Sequence, residues 1–345
     1  MLDEVMRAAC RLILCIGVVW AAGCSHMVAS RAGWVSSAPS PFIMTAEVME
    51  EFGFETERVC LTSQGKCLSL LRGDSAAKIS SIDFKGVISV FGSTDTVELR
   101  LTSDDVETFS GTVVLLHGFS ATSESLAMSA MYFRFLGFDT LSPDLLGHGG
   151  SDPPIGLGVH DAAWVDVLLD QRETLRRPLV VLGNSMGAVA AVHLAQRRDD
   201  VAALILQAPM LPFDEALVNF TRYVKPRGAR WIPEASLRRG ALRMLARADV
   251  PLEQTDLREL LNKVRVPVLL MASQSDLVSP LARLVDLESD TVTITEVPAR
   301  SHVGMAMLGT EEATAIEHWL RDTVGLRGIS RPLENHPQAG TAAAP

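Results

Sequence analysis

One serine of this chain stands where its hydroxyl could act as a nucleophile. The pentapeptide Gly-Asn-Ser-Met-Gly at 183–187 follows the apolar run 179–182 and leads into the small-residue segment 188–191. A strand before and a helix after are the setting in which Gly-x-Ser-x-Gly predicts a sharp turn with a strained, exposed serine. Glycine is needed on both sides because a Cβ there would collide with the neighbouring strand or helix. The start of the helix also favours negative charge on the oxygen of Ser185.

A serine hydroxyl is a weak nucleophile at neutral pH and needs a base. His302 follows the predicted strand 292–297 and is the candidate base. Asp276 follows the predicted strand 266–271 and would hold the imidazole in the correct tautomer, with Asp290 as the weaker alternative. The chain order is therefore nucleophile, acid, histidine, and both partners lie just past strand ends.

Negative charge that develops on an attacked carbonyl oxygen needs hydrogen-bond donors. The backbone amide of Met186, directly after the serine, and that of Phe119, after the predicted strand 112–116, are the expected donors. Phe119 is also a candidate wall of the substrate site. Two further histidines, His117 and His148, are interpreted as hydrogen-bonding within their own turns.

Parallel strands would bring these residues together. Apolar strand segments alternate with helical patterns between 112 and 321, which predicts parallel strands joined by right-handed crossovers. The carboxyl ends of such strands share one edge, where ligands bind. Helices are predicted near 123–136, 160–169, 186–197 and 310–321.

These motifs resemble the α/β-hydrolase superfamily over roughly residues 58 to 325. The resemblance depends on five segments in the expected order, which are His117-Gly118-Phe119, Asp144–Asp152, the turn at Ser185, Ser275-Asp276 and Ser301-His302. It is strongest to the group of esterases, monoglyceride lipases and serine aminopeptidases. It implies an α/β-hydrolase fold, a mostly parallel doubly wound sheet with a helical cap insertion. It also implies cleavage of carboxylic esters, lipid esters included, by a Ser-His-Asp acyl-enzyme mechanism.

Three alternatives stay open at this point. Hydrolases that cleave carbon–carbon bonds have a similar Gly-Asn-Ser-Met-Gly turn, but their usual Gly-Pro-Gly segment is replaced here by residues 119–122. An aminopeptidase would need acidic residues to bind an α-ammonium group, and Asp214, Glu215 and Glu234 are available. A non-catalytic surface lipoprotein is disfavoured because the serine, aspartate and histidine are all present.

The resemblance divides the chain into a core at 57–209 and 266–325 and a cap insertion at 210–265. Between 222 and 247 the insertion carries one acid, Glu234, and many basic residues. The basic residues are Arg222, Lys225, Arg227, Arg230, Arg238, Arg239, Arg243 and Arg247. They would attract anionic lipid head groups or an acidic substrate, or they form a solvated helix face. The aromatic residues Phe213, Phe220, Tyr223 and Trp231 either line an acyl pocket or pack the insertion onto the core.

The first residues are predicted to be a targeting segment. The apolar run 12–20 is too short to span a bilayer and is preceded by Arg7 and Arg11. Residues 1–23 resemble a bacterial lipoprotein signal, with Cys24 as the lipidated residue and 24–56 as a tether. We expect an exported protein anchored by lipid to a membrane of the cell envelope. Secretory cleavage near Ala22, giving a soluble secreted protein, and an uncleaved anchor are the alternatives.

Two cysteines flank a predicted hairpin turn at Gln64-Gly65. Cys60 and Cys67 would form a disulfide in an oxidising compartment. A four-residue loop sets the two cysteines opposite each other, whereas a three-residue loop sets Cys60 against Leu68. Two unpaired thiols are the alternative.

Composition narrows the range of partners. The chain has 345 residues, 48% of them hydrophobic, and a formal net charge of −10. This size accommodates one large α/β domain with an insertion, and the acidic balance argues against nucleic acid. The eight histidines show no metal-ligand spacing, and no nucleotide-binding glycine motif follows a strand. We therefore expect no cofactor and no metal, and a disordered tail at 326–345. The resemblance implies a small-molecule or lipid ester as substrate.

Overall fold

The main sheet of the structure has eight strands and is mostly parallel. The structure, a computed structural model, describes residues 46–328 apart from 62–64, 77–78, 173 and 226–230. The strands, in chain order, are β1 (Phe54–Leu61), β2 (Lys66–Gly73), β3 (Ser81–Val90), β4 (Ser93–Thr102), β5 (Thr112–Leu116), β6 (Asp139–Pro143), β7 (Leu179–Asn184), β8 (Val201–Gln207), β9 (Val268–Ala272) and β10 (Val292–Glu296). The main sheet has the order β1-β2-β6-β5-β7-β8-β9-β10. Only β2 runs opposite to the other strands, because it pairs antiparallel with both β1 and β6, and the strands from β6 to β10 in this order run parallel.

Helices cover both faces of this sheet. They are α1 (Ala46–Glu51), α2 (Ala127–Phe135), α3 (Val159–Asp170), α4 (Met186–Arg197), α5 (Phe213–Val224), α6 (Glu234–Arg247), α7 (Leu257–Leu261) and α8 (Thr310–Asp322). The helix predicted at 123–136 begins as a 3₁₀ turn at Ser123–Leu126 and continues as α2. The predicted α/β-hydrolase fold, a doubly wound sheet with a helical insertion, is confirmed.

Two hydrophobic layers hold the helices against the sheet. The central strands β5, β7 and β9 are buried along their whole length, as expected of parallel strands covered on both faces. One layer packs α3, α4 and the helices of segment 210–265 against the sheet, and the other packs α2 and α8. The central strands are therefore rigid supports for the loops at their carboxyl ends.

The hairpin β3–β4 forms a separate two-stranded sheet that the sequence analysis did not predict. Its strands pair from Ser81 opposite Thr102 to Val90 opposite Ser93. Along β4, alternate residues are buried, because Val97, Leu99 and Leu101 pack into the layer of α2 and α8. The hairpin therefore lies on the core rather than extending the main sheet.

Segment 210–265, which we call the insertion, contains α5, α6, a 3₁₀ turn at Leu252–Thr255 and α7. Carboxylates neutralise part of its basic cluster. Arg238 lies 2.7 Å from Asp214 and 3.1 Å from Glu234, and Arg222 lies 2.8 Å from the same Glu234. At least two of the arginines thus serve to hold α5 and α6 together.

The folded core begins earlier than the predicted boundary at residue 57. Helix α1 and the start of β1 fall within the predicted tether, and Met49 and Phe54 are buried in the layer of α2. Those two side chains supply apolar surface to the core, which therefore includes residues before 57. Residues 1–45, with the predicted signal, Cys24 and most of the tether, lie outside the described residues, as do 329–345 of the predicted tail.

Cys60 and Cys67 form a disulfide. They stand directly opposite each other in the β1–β2 ladder, so the four-residue loop is the one adopted. The alternatives of a three-residue loop and of free thiols were wrong.

Within the described ranges, no helix is long and apolar enough to cross a membrane.

Candidate active site

Ser185 lies at a sharp turn between β7 and α4. Its backbone has φ 52° and ψ −113°, a strained conformation for a residue with a side chain. A Cβ on Gly187 would lie 1.9 Å from the backbone oxygen of Leu116 in β5, and one on Gly183 would lie 2.4 Å from that of Gly187. Both glycines are therefore required for the reason predicted, since a neighbouring strand and helix leave no room for side chains.

The three candidate catalytic residues meet at the carboxyl edge of the sheet. His302 Nε2 lies 3.0 Å from Ser185 Oγ, and His302 Nδ1 lies 2.7 Å from Asp276 Oδ2. All three side chains are buried. An imidazole held in this way by a carboxylate can accept the serine proton at Nε2.

Both oxygens of the Asp276 carboxylate are hydrogen-bonded. Its Oδ1 accepts hydrogen bonds from the amides of Val278 at 2.7 Å and Ser279 at 2.9 Å, which leaves Oδ2 for His302. The alternative acid Asp290 lies instead in the exposed turn before β10. The geometry therefore assigns the contact with histidine to Asp276.

The loop after β5 lies close to the serine. A Cβ on Gly118 would be 3.2 Å from Ser185 Cβ, so this glycine allows the segment that carries Phe119 to approach the nucleophile. Met186 is the first residue of α4, where a backbone N–H has no acceptor within the helix. Both predicted oxyanion donors thus belong to segments that border Ser185.

His117 and His148 have structural contacts, as predicted. His117 bonds the carbonyl oxygen of Gly118 through Nδ1 and accepts from the amide of Leu145 through Nε2. His148 bonds the carbonyl oxygen of Leu146. Burial lowers the pKa of His117 to about 4 and that of His148 to about 3, so both rings are neutral near pH 7. They brace the loop that follows β6.

The acids of that loop also brace it, as the sequence predicts. Asp144 accepts hydrogen bonds from the amides of Ser123 and Gly150. Asp152 accepts from the amide of Cys67 in β2. The bonds from Ser123 and Cys67 join the loop that follows β6 to the segment after β5 and to β2.

A cavity of about 190 Å³ opens beside Ser185 and His302. Its other lining residues are apolar or uncharged. They are Phe91, Gly118, Phe119, Ser120, Ala121, Ser125, Asn184, Met210, Phe213, Ala216, Leu217, Phe220, Val224, Val278, Val303 and Ala306. The predicted wall residue Phe119 is among them. Such a lining fits an uncharged, apolar group next to the nucleophile.

Three of the four aromatic residues of the insertion have one of the two roles considered for them. Phe213 and Phe220 line the cavity, and the ring of Phe220 packs edge-to-face on Phe119 at 6.0 Å. Tyr223 is buried and packs against Phe91, with ring centroids 5.6 Å apart. Trp231 is 68% exposed and does not line the cavity.

Phe91 is a site residue that the sequence analysis missed. It lies at the tip of the β3–β4 hairpin, with φ 53°, and it is followed by Gly92 with φ 83°. The two alternating strands on either side of a Phe-Gly pair were a usable hairpin signal. No local signal, however, places the tip of that hairpin against the insertion.

Among the described residues, no group of three or more His, Cys, Asp or Glu side chains could hold a metal ion. The buried histidines are accounted for by His302 in the contact with Ser185 and by His117 and His148 in loop contacts. The side chains that are in contact at the site are a serine hydroxyl, an imidazole and a carboxylate.

The fold and the position of the serine turn define this protein as an α/β hydrolase. The chain belongs to the alpha/beta hydrolase family, whose model matches residues 113–317. The matched region extends from β5 to α8 and contains Ser185, Asp276 and His302.

One relative with a similar sequence is a lipase. The chain is 36% identical over 100 residues to Lipase LipV of Mycobacterium tuberculosis, a match that covers 26% of this chain and 37% of that lipase. The match thus spans little more than a third of that relative.

Solved structures show the same fold over most of the chain. An esterase of Pyrococcus furiosus aligns with a TM-score of 0.56 at 14% identity, over 83% of this chain and 97% of the esterase. A membrane phospholipase A, described as a bacterial virulence factor, aligns with a TM-score of 0.53 at 18% identity, over 94% of this chain and 99% of that protein. At these identities the similarity concerns the fold alone.

Proposed function

We propose that this protein is a serine hydrolase that cleaves carboxylic esters through an acyl-enzyme. The observation that carries the proposal is the hydrogen-bonded series from Asp276 through His302 to Ser185 Oγ, which opens into an apolar cavity. The similarity in sequence to a lipase supports the same reaction class.

The reaction has two steps. Ser185 Oγ attacks the ester carbonyl carbon while His302 Nε2 takes the hydroxyl proton, and the backbone amides of Phe119 and Met186 stabilise the oxyanion. The alcohol leaves with the proton returned by His302. Water then attacks the acyl-enzyme with His302 again as base, which releases the acid and restores the serine. Asp276 stabilises the imidazolium in both steps.

The charges of the site favour an ester over an aminoacyl substrate. An aminopeptidase needs a carboxylate close to the serine to bind an α-ammonium group. The three acids considered for this role bind arginines instead, since Asp214 pairs with Arg238, Glu215 with Arg283 and Glu234 with Arg222. None of the three lines the cavity.

A substrate panel tests the choice between the two activities. We expect the protein to hydrolyse p-nitrophenyl esters and to leave aminoacyl-nitroanilides intact. Faster turnover of the nitroanilides than of the esters would contradict the proposal and favour the aminopeptidase.

Ala216→Trp is expected to shorten the acyl chains that the enzyme accepts. Ala216 lies on α5, is buried and lines the cavity, so an indole there would fill the space for a long chain. We expect kcat/KM for p-nitrophenyl octanoate to fall about 10-fold or more, while the acetate ester changes by less than about threefold.

The matched control is Ala246→Trp, the same change at an exposed position of α6 outside the cavity. It should leave the chain-length profile unchanged. An equal loss with both esters in Ala216→Trp would indicate damage to the site rather than a blocked acyl pocket.

We further propose that the protein is exported and that Cys24 is acylated, which would anchor the enzyme to a membrane of the cell envelope. The apolar segment before Cys24 supports export, and so does the Cys60–Cys67 disulfide, because disulfides persist in oxidising compartments. We expect mass spectrometry of the N-terminal peptide to find an acylated Cys24 as the first residue. An unmodified peptide that begins at Gly23 or Ser25 would contradict lipidation.

A further inference from the structure

The loop that carries His302 is bound by a residue of the separate β3–β4 hairpin. Asp95 of β4 accepts a hydrogen bond from the amide of Ser301 at 2.9 Å through Oδ1. Its Oδ2 accepts a second one from the hydroxyl of Ser301. Asp95 is only 6% exposed. Both oxygens of a buried carboxylate are thus used on the residue next to the candidate base.

Ser301 is also hydrogen-bonded to the turn that follows it. Its hydroxyl oxygen accepts a hydrogen bond from the amide of Gly304 at 3.2 Å, and its carbonyl oxygen accepts one from the amide of Met305 at 3.0 Å. A Cβ on Gly304 would lie 2.5 Å from Asp95 Oδ2, so the turn closes directly over the carboxylate. The backbone on both sides of His302 is therefore bonded to Asp95 or to Ser301.

The residue before Ser301 is bound to the end of the main sheet. The hydroxyl of Ser273, just after β9, accepts a hydrogen bond from the amide of Arg300 at 3.1 Å. The His302 loop consequently lies between an anchor on the core and an anchor on the hairpin. A buried carboxylate is costly without compensating hydrogen bonds, and here the compensation comes from Ser301.

We propose that Asp95 is a positioning residue for the base of this enzyme and acts through Ser301 to hold the His302 imidazole against Ser185. The inference rests on the proposed function, in which His302 transfers the proton. That transfer depends on the 3.0 Å separation of Nε2 and Oγ. A displacement of about 1 Å in such a contact lowers a rate by about 100-fold. Without Asp95, the loop loses the hydrogen bonds that join Ser301 to the hairpin.

Asp95→Asn and Ser301→Ala test the inference. Asparagine replaces Oδ2 with an NH₂ group, so the hydroxyl of Ser301 loses its acceptor, while alanine removes that hydroxyl altogether. We expect each variant to lower kcat for a p-nitrophenyl ester, and the rate of fluorophosphonate labelling, by about 10- to 100-fold. KM should change by less than about threefold, because neither residue lines the cavity. The kcat of the double variant should be no lower than that of the more impaired single variant, since both changes act on the same contact between Asp95 and Ser301.

Two controls separate positioning from a general effect on the hairpin. Asp83→Asn makes the same change at an exposed position of β3, where Asp83 pairs with Arg100 at 3.3 Å. Thr310→Val removes a hydroxyl that accepts from the amide of Arg100 at 2.9 Å and holds the hairpin to α8. Both should keep kcat, although Thr310→Val is expected to lower the Tm.

The outcomes distinguish this inference from the proposed function. Unchanged kcat in Asp95→Asn and Ser301→Ala, with Ser185→Ala inactive, would overturn the inference alone, and so would an equal loss of kcat in Thr310→Val. Full activity in Ser185→Ala would overturn the proposed function. Rates are compared at a temperature at which circular dichroism shows each variant folded. If Asp95→Asn does not fold, Ser301→Ala decides, because it removes a single oxygen.

Discussion

Ser185→Ala is expected to lower kcat for ester hydrolysis by about 10⁶-fold and to abolish covalent labelling by a fluorophosphonate. The serine hydroxyl is the group that His302 contacts at 3.0 Å, and alanine leaves nothing there to attack the carbonyl. The turn itself should survive, because the glycines at 183 and 187 that shape it are unchanged. Mass spectrometry of the labelled peptide and steady-state kinetics are the measurements.

Two further variants test whether labelling depends on the base and is specific to Ser185. His302→Ala should suppress labelling nearly as strongly, since the hydroxyl then lacks its base. Ser236→Ala removes a buried hydroxyl of α6 outside the cavity and should label normally. Persistent labelling of Ser185→Ala would place the nucleophile elsewhere in the chain.

Asp276→Asn is expected to lower kcat by about 10⁴-fold with little change in KM. The direction follows from the two amides of Val278 and Ser279, which donate to Oδ1 and will retain the amide oxygen of asparagine. The NH₂ group is then left facing His302 Nδ1 and donates to it. His302 must consequently carry its proton on Nε2, where it can no longer accept the proton of Ser185.

Nitrogen NMR of the labelled imidazole can report this change of tautomer directly. Asp290→Asn is the matched control, because Asp290 lies in the exposed turn before β10 and should tolerate the change at full activity. A large loss in Asp290→Asn together with normal kinetics in Asp276→Asn would reverse the assignment of the acid.

The parts of the site that could be predicted from the sequence are those with local signals. The turn at Ser185 combines a buried strand, two glycines and a small-residue helix within about a dozen positions. His302 and Asp276 each follow an apolar strand in a parallel sheet, so topology alone brings them to one edge. The helices α4 and α8 were predicted within one residue of their observed ends.

The contacts of the β3–β4 hairpin could not be predicted in the same way. Asp95 and Ser301 are separated by 206 positions, and nothing near either residue indicates the other. The carboxylate pairs of the insertion are similar, because a count of basic residues does not show that Arg238 lies between Asp214 and Glu234. In each case the three-dimensional packing, rather than a local pattern, decides the role of the residue.

Part of the cavity wall comes from segments of the chain that carry none of the candidate catalytic residues. Phe91 belongs to a hairpin tip, and Phe213 and Phe220 belong to the insertion, whereas the serine, acid and histidine follow core strands. Recombination could therefore exchange the hairpin tip and α5 between relatives and diversify substrate range while the reaction is inherited intact. A chimeric library built on this principle would keep β4 from Asp95 onward as part of the recipient scaffold.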